Sequence, residues 1–461
     1  MTRSASTSRS PKRLEAERVP DAPGLAVRAI AAKLLAAVVD ARTSLDGLLD
    51  PVGGHPGLRR LDARDQGLVR AILHVALRRR GTIAAALAAR VDRPLPGNAR
   101  ALEHLLHVGA AQVLFLDVPD SAAVDTAVSL AKADPRLVRF AGLVNALLRR
   151  LAREKEVVLA QAEADPARDC PPWLFERLAA SHGDERARRI AALLARPAPL
   201  DLTVLKGDAA AFASQLGGDL LPTGSVRLPA FDGPVTALPG FAEGAWIVQD
   251  AAASLPARLF GAIEGQAVAD LCAAPGGKTA QLAARGARVT AVDRSASRMK
   301  RLEDNFGRLG LPVETRVGEF ATLDLPSFDA VLLDAPCSST GTLRRHPDVG
   351  YTKNAEEVTS LAGVQARLLR EAADLVKPGG TLVFSNCSLD AEEGEGVVAG
   401  FLAERGDFAL DRIRTDELPG LSEAVTADGM VRTLPDMLDR GTPDASGLDG
   451  FFAARLKRAA A

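Results

Sequence analysis

Apolar positions recur with a helical period from Leu25 to Leu151, with no β-branched run between. Leu25, Ile30, Leu34, Leu35 and Val38 form the first stripe. Similar Ala-rich patterns predict helices over Asp65–Arg80, Thr82–Arg90, Ala99–Phe115, Ser121–Ala133 and Phe140–Glu156, punctuated by Pro, Gly and Asp. The expected unit is an all-α bundle over 25–160.

The pattern then changes twice. Asp165–Pro172 is proline-rich and reads as a linker. Trp173–Leu194 reads as helix, and Leu200–Leu205, Val226–Leu228 and Val235–Ala237 as short strands. Residues 165–240 are therefore expected to form a small α+β module. From Trp246 onward strands and helices alternate. Gln266–Ala269, Ala287–Val292, Ala330–Leu333 and Thr381–Phe384 read as buried parallel strands. Ser295–Leu309, Ala355–Val376 and Ala391–Glu404 read as the intervening helices, and Pro378-Gly379-Gly380 as a helix-to-strand turn. Gly450–Leu456 reads as a late, antiparallel strand. Residues 241–461 are expected to be a doubly wound α/β domain. Leu410–Pro443 is acidic and turn-rich, and fits either plain surface or an insertion over a ligand crevice.

Composition narrows the classes. The 461 residues carry 57 Lys+Arg against 58 Asp+Glu, so no global basic field marks a nucleic-acid binder. The distribution is uneven, however. Arg59–Arg80 holds seven arginines and two acids, and Arg136–Lys155 six basic residues and one acid. Basic faces in one half suit a polyanion, although ordinary solvated helices look the same. Four widely spaced cysteines without a C-x-x-C argue against a disulfide framework or a zinc cluster and point to a reducing cytosol. Residues 1–24 are rich in Ser, Arg and Pro and read as a disordered basic tail, not a secretory signal. No apolar run is long enough for a membrane span.

Candidate chemistry begins at Asp270-Leu-Cys-Ala-Ala-Pro-Gly-Gly-Lys-Thr279. A strand, a glycine turn and a helix aim backbone N–H groups at a ligand. A phosphate-binding G-x-x-x-x-G-K-[ST] loop fails because Cys272 stands at its first glycine, and G-x-G-x-x-G is absent. A nucleoside ligand without a pyrophosphate remains, beside the alternative of a bare connection. Acids at strand ends favour the ligand. Asp270 closes the first strand. Asp293, 17 residues after Gly276, closes the second, where ribose hydroxyls bind in such folds. Glu319 follows the third strand-like run.

The next two strands each deliver a cysteine to the same edge. One runs into Leu333-Asp-Ala-Pro-Cys-Ser-Ser-Thr-Gly341, the other into Val383-Phe-Ser-Asn-Cys-Ser388. A thiol among polar residues just past a strand is expected to be accessible and nucleophilic. A redox pair or a metal pair is also compatible with the spacing, although two thiols without further ligands make a poor metal site.

Asp270–Thr279, Asp334–Cys337, Arg344-Arg-His-Pro-Asp348, Asn386–Ser388 and Asp449-Gly-Phe-Phe together resemble the S-adenosylmethionine-dependent RNA (cytosine-5)-methyltransferases. Ser121–Lys132 and Gly142–Arg149 make the N-terminal part similar to the NusB antitermination-factor domain. The combination resembles the bacterial small-subunit (16S) rRNA enzymes of that family, over about residues 24–458. It implies a NusB-like bundle followed by a Rossmann-like methyltransferase domain. Cys272, Ala273, Ala274, Pro275, Gly276, Gly277 and Lys278 would then line the cofactor, S-adenosyl-L-methionine. Asp293 would hold its ribose, and Glu319, where the family has Asp, would lie near the adenine. Asp334 would close the cofactor pocket and touch the base. Cys387 would be the nucleophile and Cys337 would assist release, with Asn386 standing where the family has Thr. Leu200–Val204 departs from the family's Arg-x-Asn segment, so no RNA contact carries over there.

The resemblance also implies why two thiols are wanted. Carbon 5 of cytosine is a weak nucleophile until a thiolate adds to carbon 6, and the adduct must later be resolved. The expected partner is 16S rRNA in an unassembled or early-assembly form, since the target base must be unstacked. The protein is expected to be a cytoplasmic monomer, without metal. The same chemistry on tRNA, or a catalytically silent RNA-binding assembly factor, are the competing readings.

Overall fold

The computed structural model of the protein describes residues 24–460 apart from Pro229, Ala230 and Asp232. The tail expected over 1–24 lies outside the described residues except for Gly24.

The N-terminal part is helical: α1 (Leu25–Val39), α2 (Leu45–Leu49), α3 (Pro56–Arg59), α4 (Ala63–Arg78), α5 (Arg80–Ala88), α6 (Arg100–Phe115), α7 (Asp120–Ala133), α8 (Ala141–Arg153) and α9 (Lys155–Ala164). Helix α4 illustrates why these segments fold so. Asp62 caps it by accepting from the Asp65 N–H at 2.7 Å, and Val69, Ile72, Leu73, Ala76 and Leu77 form one buried face. Helix α6 is central, with Leu105, Leu106, Val108, Val113 and Leu114 all buried. The helix expected over Phe140–Glu156 breaks at Glu154, between α8 and α9.

Two short helices follow, α10 (Pro172–His182) and α11 (Asp184–Leu194). Gly183, at φ +79°, divides what looked like one helix. A small antiparallel sheet then forms from β1 (Leu200–Val204), β2 (Asp219–Leu220), β3 (Ser225–Leu228) and β4 (Trp246–Val248), in the order β2-β3-β1-β4, with α12 (Ala209–Leu216) against it. Val235–Ala237 is a turn of 3-10 helix rather than a strand. The place beside β1 is filled by β4, where the fully buried Trp246 anchors a separate apolar cluster.

The larger sheet carries eight strands. These are β5 (Ala267–Leu271), β6 (Arg288–Asp293), β7 (Glu314–Val317), β8 (Phe328–Asp334), β9 (Val376–Asn386), β10 (Phe408–Leu410), β11 (Val431–Thr433) and β12 (Phe451–Arg458). The order is β10-β12-β9-β8-β5-β6-β7, with β11 also on β12. Strands β5 to β9 are parallel, and β12 is antiparallel to β9 as its position predicted. The helices are α13 (Leu255–Arg258), α14 (Gly277–Ala284), α15 (Ala296–Leu309), α16 (Val349–Thr352), α17 (Ala355–Asp374) and α18 (Glu395–Glu404). The order of connection reverses between β5 and β8, so a crevice opens beyond their carboxyl ends.

Three further expectations change. Pro378-Gly379-Gly380 lies within β9, beside a register irregularity against β8, while α17 ends earlier, at Asp374. The last helix begins at Glu395, not Ala391. Leu410–Pro443 is neither loose surface nor a lid. It contributes β11 and buries Ile413, Leu418, Leu421, Leu434 and Met437 in the main core.

The proline-rich stretch 165–172 is pinned rather than free. Asp169 is buried and accepts from Thr82 N at 2.7 Å, Thr82 Oγ1 at 2.9 Å and Arg79 Nη1 at 3.3 Å. A Cβ at Gly81 would stand 1.9 Å from the Arg168 carbonyl oxygen, so only glycine lets α5 approach it. The basic end of α4 is spent in the same junction. Arg78 donates to the Arg344 carbonyl at 2.7 Å, and Arg80 pairs with Glu103 at 2.6 Å. Both arginines are thus engaged within the protein, where the charge pattern suggested a solvent-facing basic face. Arg59, Arg60 and Arg64 stay exposed.

Asp169→Ala strips the Thr82 and Arg79 donors of their acceptor and is expected to cost about 1–3 kcal/mol. Urea denaturation should show the loss as a lower midpoint; an unchanged midpoint would mean the junction adds no stability.

Candidate active site

Each predicted site residue lies at the carboxyl edge of the large sheet or in the turn that follows. After β5 the chain turns through Cys272, at φ +62°, a cis Ala274–Pro275 bond and Gly276, at φ +102°. A Cβ on Gly276 would sit 2.9 Å from Leu302, so glycine is required both by backbone angle and by space. Helix α14 begins at Gly277, and its first-turn N–H groups point out of the helix toward the crevice.

The acids divide into two kinds. Asp270 does not enter the crevice. It is buried, accepts from Thr279 Oγ1 at 2.6 Å, and its Oδ1 has no partner. Burial pushes its carboxyl up to about 7, against the Thr279 hydrogen bond. Asp293 ends β6 and orders the turn, accepting from Ala274 N at 3.1 Å and Ser295 N at 2.9 Å. Arg298 lies 3.8 Å from it and donates to the Ala274 carbonyl. Glu319 is exposed just past β7, whose Gly318 N–H donates to the Asp293 carbonyl at 3.1 Å. The two acids are thus neighbours along the edge.

Across the reversal point, Lys278 meets Asp334. Its Nζ lies 2.7 Å from Asp334 Oδ2 and 4.8 Å above the Phe451 ring. Ser385 Oγ donates to Asp334 Oδ1 at 2.9 Å. The resemblance placed Lys278 along the cofactor. In the structure it faces Asp334.

The two thiols converge. Cys337 Sγ and Cys387 Sγ are 3.5 Å apart, both partly buried and both unbridged. Their microenvironments differ. The hydrogen bond from Cys337 lowers Cys387 below the ordinary thiol value of 9.0, with Ser339 and Lys278 helping against burial and the Asp334 charge. Cys337 is raised, first by that same hydrogen bond and then by burial, the Cys387 charge and Glu393. Cys272 lies in the turn and is pushed by burial up to about 12, which makes it inert. Asn386 beside the thiol is buried. Its Oδ1 accepts from Ser388 N at 3.0 Å and its Nδ2 donates to the Glu393 carbonyl at 2.6 Å, so it shapes the loop after β9.

Sequence reasoning noted the Arg344–Asp348 run only as part of a motif. It proves to be the strap behind the Cys337 loop. Arg345 bridges Asp250 at 2.7 Å and Asp449 at 2.9 Å, and donates to the Pro199 carbonyl at 3.0 Å. Asp348 accepts from Leu45 N at 2.9 Å, and Tyr351 donates to the Leu77 carbonyl at 3.0 Å. Phe451 was visible in Asp-Gly-Phe-Phe, but its partner Lys278 was not. Ser385 could have been found from its place at the end of β9, two residues before Cys387. No group of His, Cys, Asp and Glu able to hold a metal ion occurs among the described residues.

Comparison with known proteins accounts for this arrangement. Residues 258–457 match the family model described as 16S rRNA methyltransferase RsmB/F, and residues 25–153 match the NusB family. The chain is 36% identical to the ribosomal RNA small subunit methyltransferase B of Sodalis glossinidius, covering 93% of this chain and 97% of that one. It is 37% identical to the protein of the same name from Xylella fastidiosa, over 94% and 98% of the two chains. Its fold is similar to the crystal structure of PH0851, with TM-score 0.70 and 23% identity over 96% of this chain and 100% of that one. The molecule is thus an RNA methyltransferase that uses S-adenosylmethionine. The chain belongs to the RsmB/F methyltransferase family, with a NusB-family domain ahead of the catalytic one.

The crevice fits that cofactor. The first turn of α14 offers N–H donors to a carboxylate, the exposed Glu319 offers an acceptor to hydroxyl or amino groups, and the buried Asp293 fixes the turn between them through the Ala274 and Ser295 N–H groups.

Gly276→Ala should weaken S-adenosylmethionine binding by at least about tenfold in calorimetry, because the added methyl group meets Leu302 in a disfavoured backbone region. Asp270 gives a pH test. Its folded value, about 7, lies above its unfolded value, so the native state holds the proton more tightly. Stability should therefore fall as pH rises from about 4 to about 7. Asp270→Asn should flatten that part of the wild-type stability curve, measured by denaturation at each pH; parallel curves would contradict it.

Proposed function

We propose that the chain methylates carbon 5 of a cytosine in 16S rRNA through a covalent bond between Cys387 and carbon 6. The observation that carries this reading is the thiol pair at 3.5 Å, set beside the Lys278–Asp334 pair and across the edge from the glycine turn. A single nucleophile would need no second thiol. A redox pair would not need a paired lysine and carboxylate at the same edge. The relatives' names, over nearly the whole chain, support small-subunit rRNA as the substrate.

The residues divide the work as follows. Cys387, the thiol lowered by its neighbour, adds to carbon 6. Asp334 engages the N3 edge of the base with Lys278 behind it as the source of a proton. General acid help of this kind is commonly worth about two to four powers of ten in rate. Bound S-adenosylmethionine supplies the electrophilic methyl group, with Cys272–Lys278, Asp293 and Glu319 holding it. Cys337 loses its hydrogen-bond acceptor once Cys387 is alkylated, and then serves removal of the carbon-5 proton and release of Cys387. Residues 25–160 and 165–240 hold the RNA and 241–461 perform the transfer. The base must leave its stack to reach the thiols, which favours RNA not yet assembled into the subunit.

Transfer of labelled methyl groups to unmodified 16S rRNA tests the assignment. Cys387→Ala should abolish it, and Cys337→Ala should accumulate a protein–RNA adduct stable to denaturation. An adduct that appears with Cys387→Ala instead would reverse the two roles.

A further inference from the structure

One buried group near the thiols has no part in the chemistry above. Glu393 is fully buried, in the loop between β9 and α18. Its Oε1 accepts from Ser338 N at 2.8 Å and from Gln365 Nε2, on α17, at 2.9 Å. Its Oε2 accepts from Ser338 Oγ. Its own carbonyl accepts from Asn386 Nδ2 at 2.6 Å, and Gln365 Nε2 also donates to the Pro336 carbonyl at 3.0 Å. Pro336 and Ser338 flank Cys337, and Asn386 precedes Cys387. One carboxylate and one amide therefore join the two loops that carry the thiols.

The arrangement is costly. Among the described residues no Lys, Arg or His pairs with Glu393, so its charge is balanced by hydrogen bonds alone. Taking a carboxylate out of water costs several kcal/mol unless its lone pairs are filled. A glutamine would fill the same space and accept from Ser338 N without that cost. Holding the loops does not by itself require a charge.

We propose that Glu393 is a positioning residue for methyl transfer, fixing the Cys337 loop against the Cys387 loop so that the two thiols face each other with unequal surroundings. Its charge acts on Cys337 and adds to the effects that keep that thiol protonated, whereas the leading charges on Cys387 are those of Asp334 and Lys278. Cys337 is thereby kept as the hydrogen-bond donor and Cys387 as the acceptor that attacks. This rests on the roles of the thiols given above.

The first measurement uses thiol chemistry in the full chain without RNA, and the second follows release of the adduct with 16S rRNA. Iodoacetamide labelling followed by peptide mass spectrometry gives the pH midpoint for Cys337 in a Cys387→Ala background. Glu393→Gln keeps the shape and an oxygen acceptor but removes the charge. It should lower the Cys337 midpoint by about one pH unit, the scale of a single nearby charge in a partly buried site. In the chain with both thiols, Glu393→Gln should slow adduct release about tenfold while S-adenosylmethionine binding stays within about twofold, since no cofactor-binding group changes. Gln365→Met is the second variant. It cuts the tie to α17 but keeps the charge, and should leave the Cys337 midpoint within about 0.3 units while slowing release. An unmoved midpoint in Glu393→Gln, in protein with unchanged thermal unfolding, overturns the proposal. So does release at the wild-type rate in both variants. If the wild-type chain transfers no methyl group but the midpoint still moves, the function assigned above fails and the inequality of the thiols stands.

Discussion

The parallel pairing of β8 with β9 is the constraint on which the site depends. It sets Asp334 opposite Ser385, and Ala335 N–H donates to the Ser385 carbonyl at 2.9 Å. Beyond the strands, Gly341 N–H donates to the Cys387 carbonyl at 2.9 Å, and Gly450 N–H to the Gly341 carbonyl at 2.9 Å. A Cβ at Gly341 would lie 1.9 Å from the Gly450 oxygen, so the three chains meet at a point that only glycine permits. A slip of one residue in this register would turn every side chain to the opposite face. The thiol pair would then come apart, and Asp334 would lose Ser385.

A second layer of constraint lies behind the Cys337 loop. Arg345 joins Asp250 and Asp449, while Arg227 and Asp201 make two contacts of 2.7 Å nearby with neither side chain exposed. Buried charges stabilise only when geometry is good and remaining donors are filled. Here they are: Arg227 also donates to the Ala445 and Gly447 carbonyls at 3.0 and 2.7 Å. This cluster links the small sheet, the segment before β12 and the catalytic loop. The strap continues through Asp348 and Tyr351 into α2 and α4 of the helical bundle. The bundle and the segment that follows the Cys337 loop are thus in direct contact.

Local patterns carried much of this into the sequence. Buried parallel strands are continuous apolar runs, a glycine turn has its own composition, and strand ends place Asp293, Asp334, Cys337 and Cys387 on one edge by topology. What sequence could not carry are pairings across long separations. Lys278 finds Asp334, Arg78 finds the Arg344 carbonyl, and Glu393 finds Ser338 only once the sheet exists. Charge density misled for the same reason. Arg78 and Arg80 read as surface cations but are half-buried and engaged with the Arg344 carbonyl and Glu103. The stretch 165–172 looked like a free linker because proline reports local stiffness and says nothing of Asp169 and its partners. Asp270 was grouped with the crevice acids because a strand end fixes position, not the direction in which the side chain turns.

The central claim is that Cys387, and not Cys337, bonds to the base. The most direct measurement uses the unaltered protein with 16S rRNA carrying 5-fluorocytosine, whose fluorine blocks loss of the carbon-5 substituent and traps the adduct. Protease and nuclease digestion with mass spectrometry then identifies the attached cysteine. The account predicts a methylated fluorocytosine on the peptide containing Cys387. Attachment through Cys337, or no covalent product while S-adenosylmethionine is bound, would contradict it.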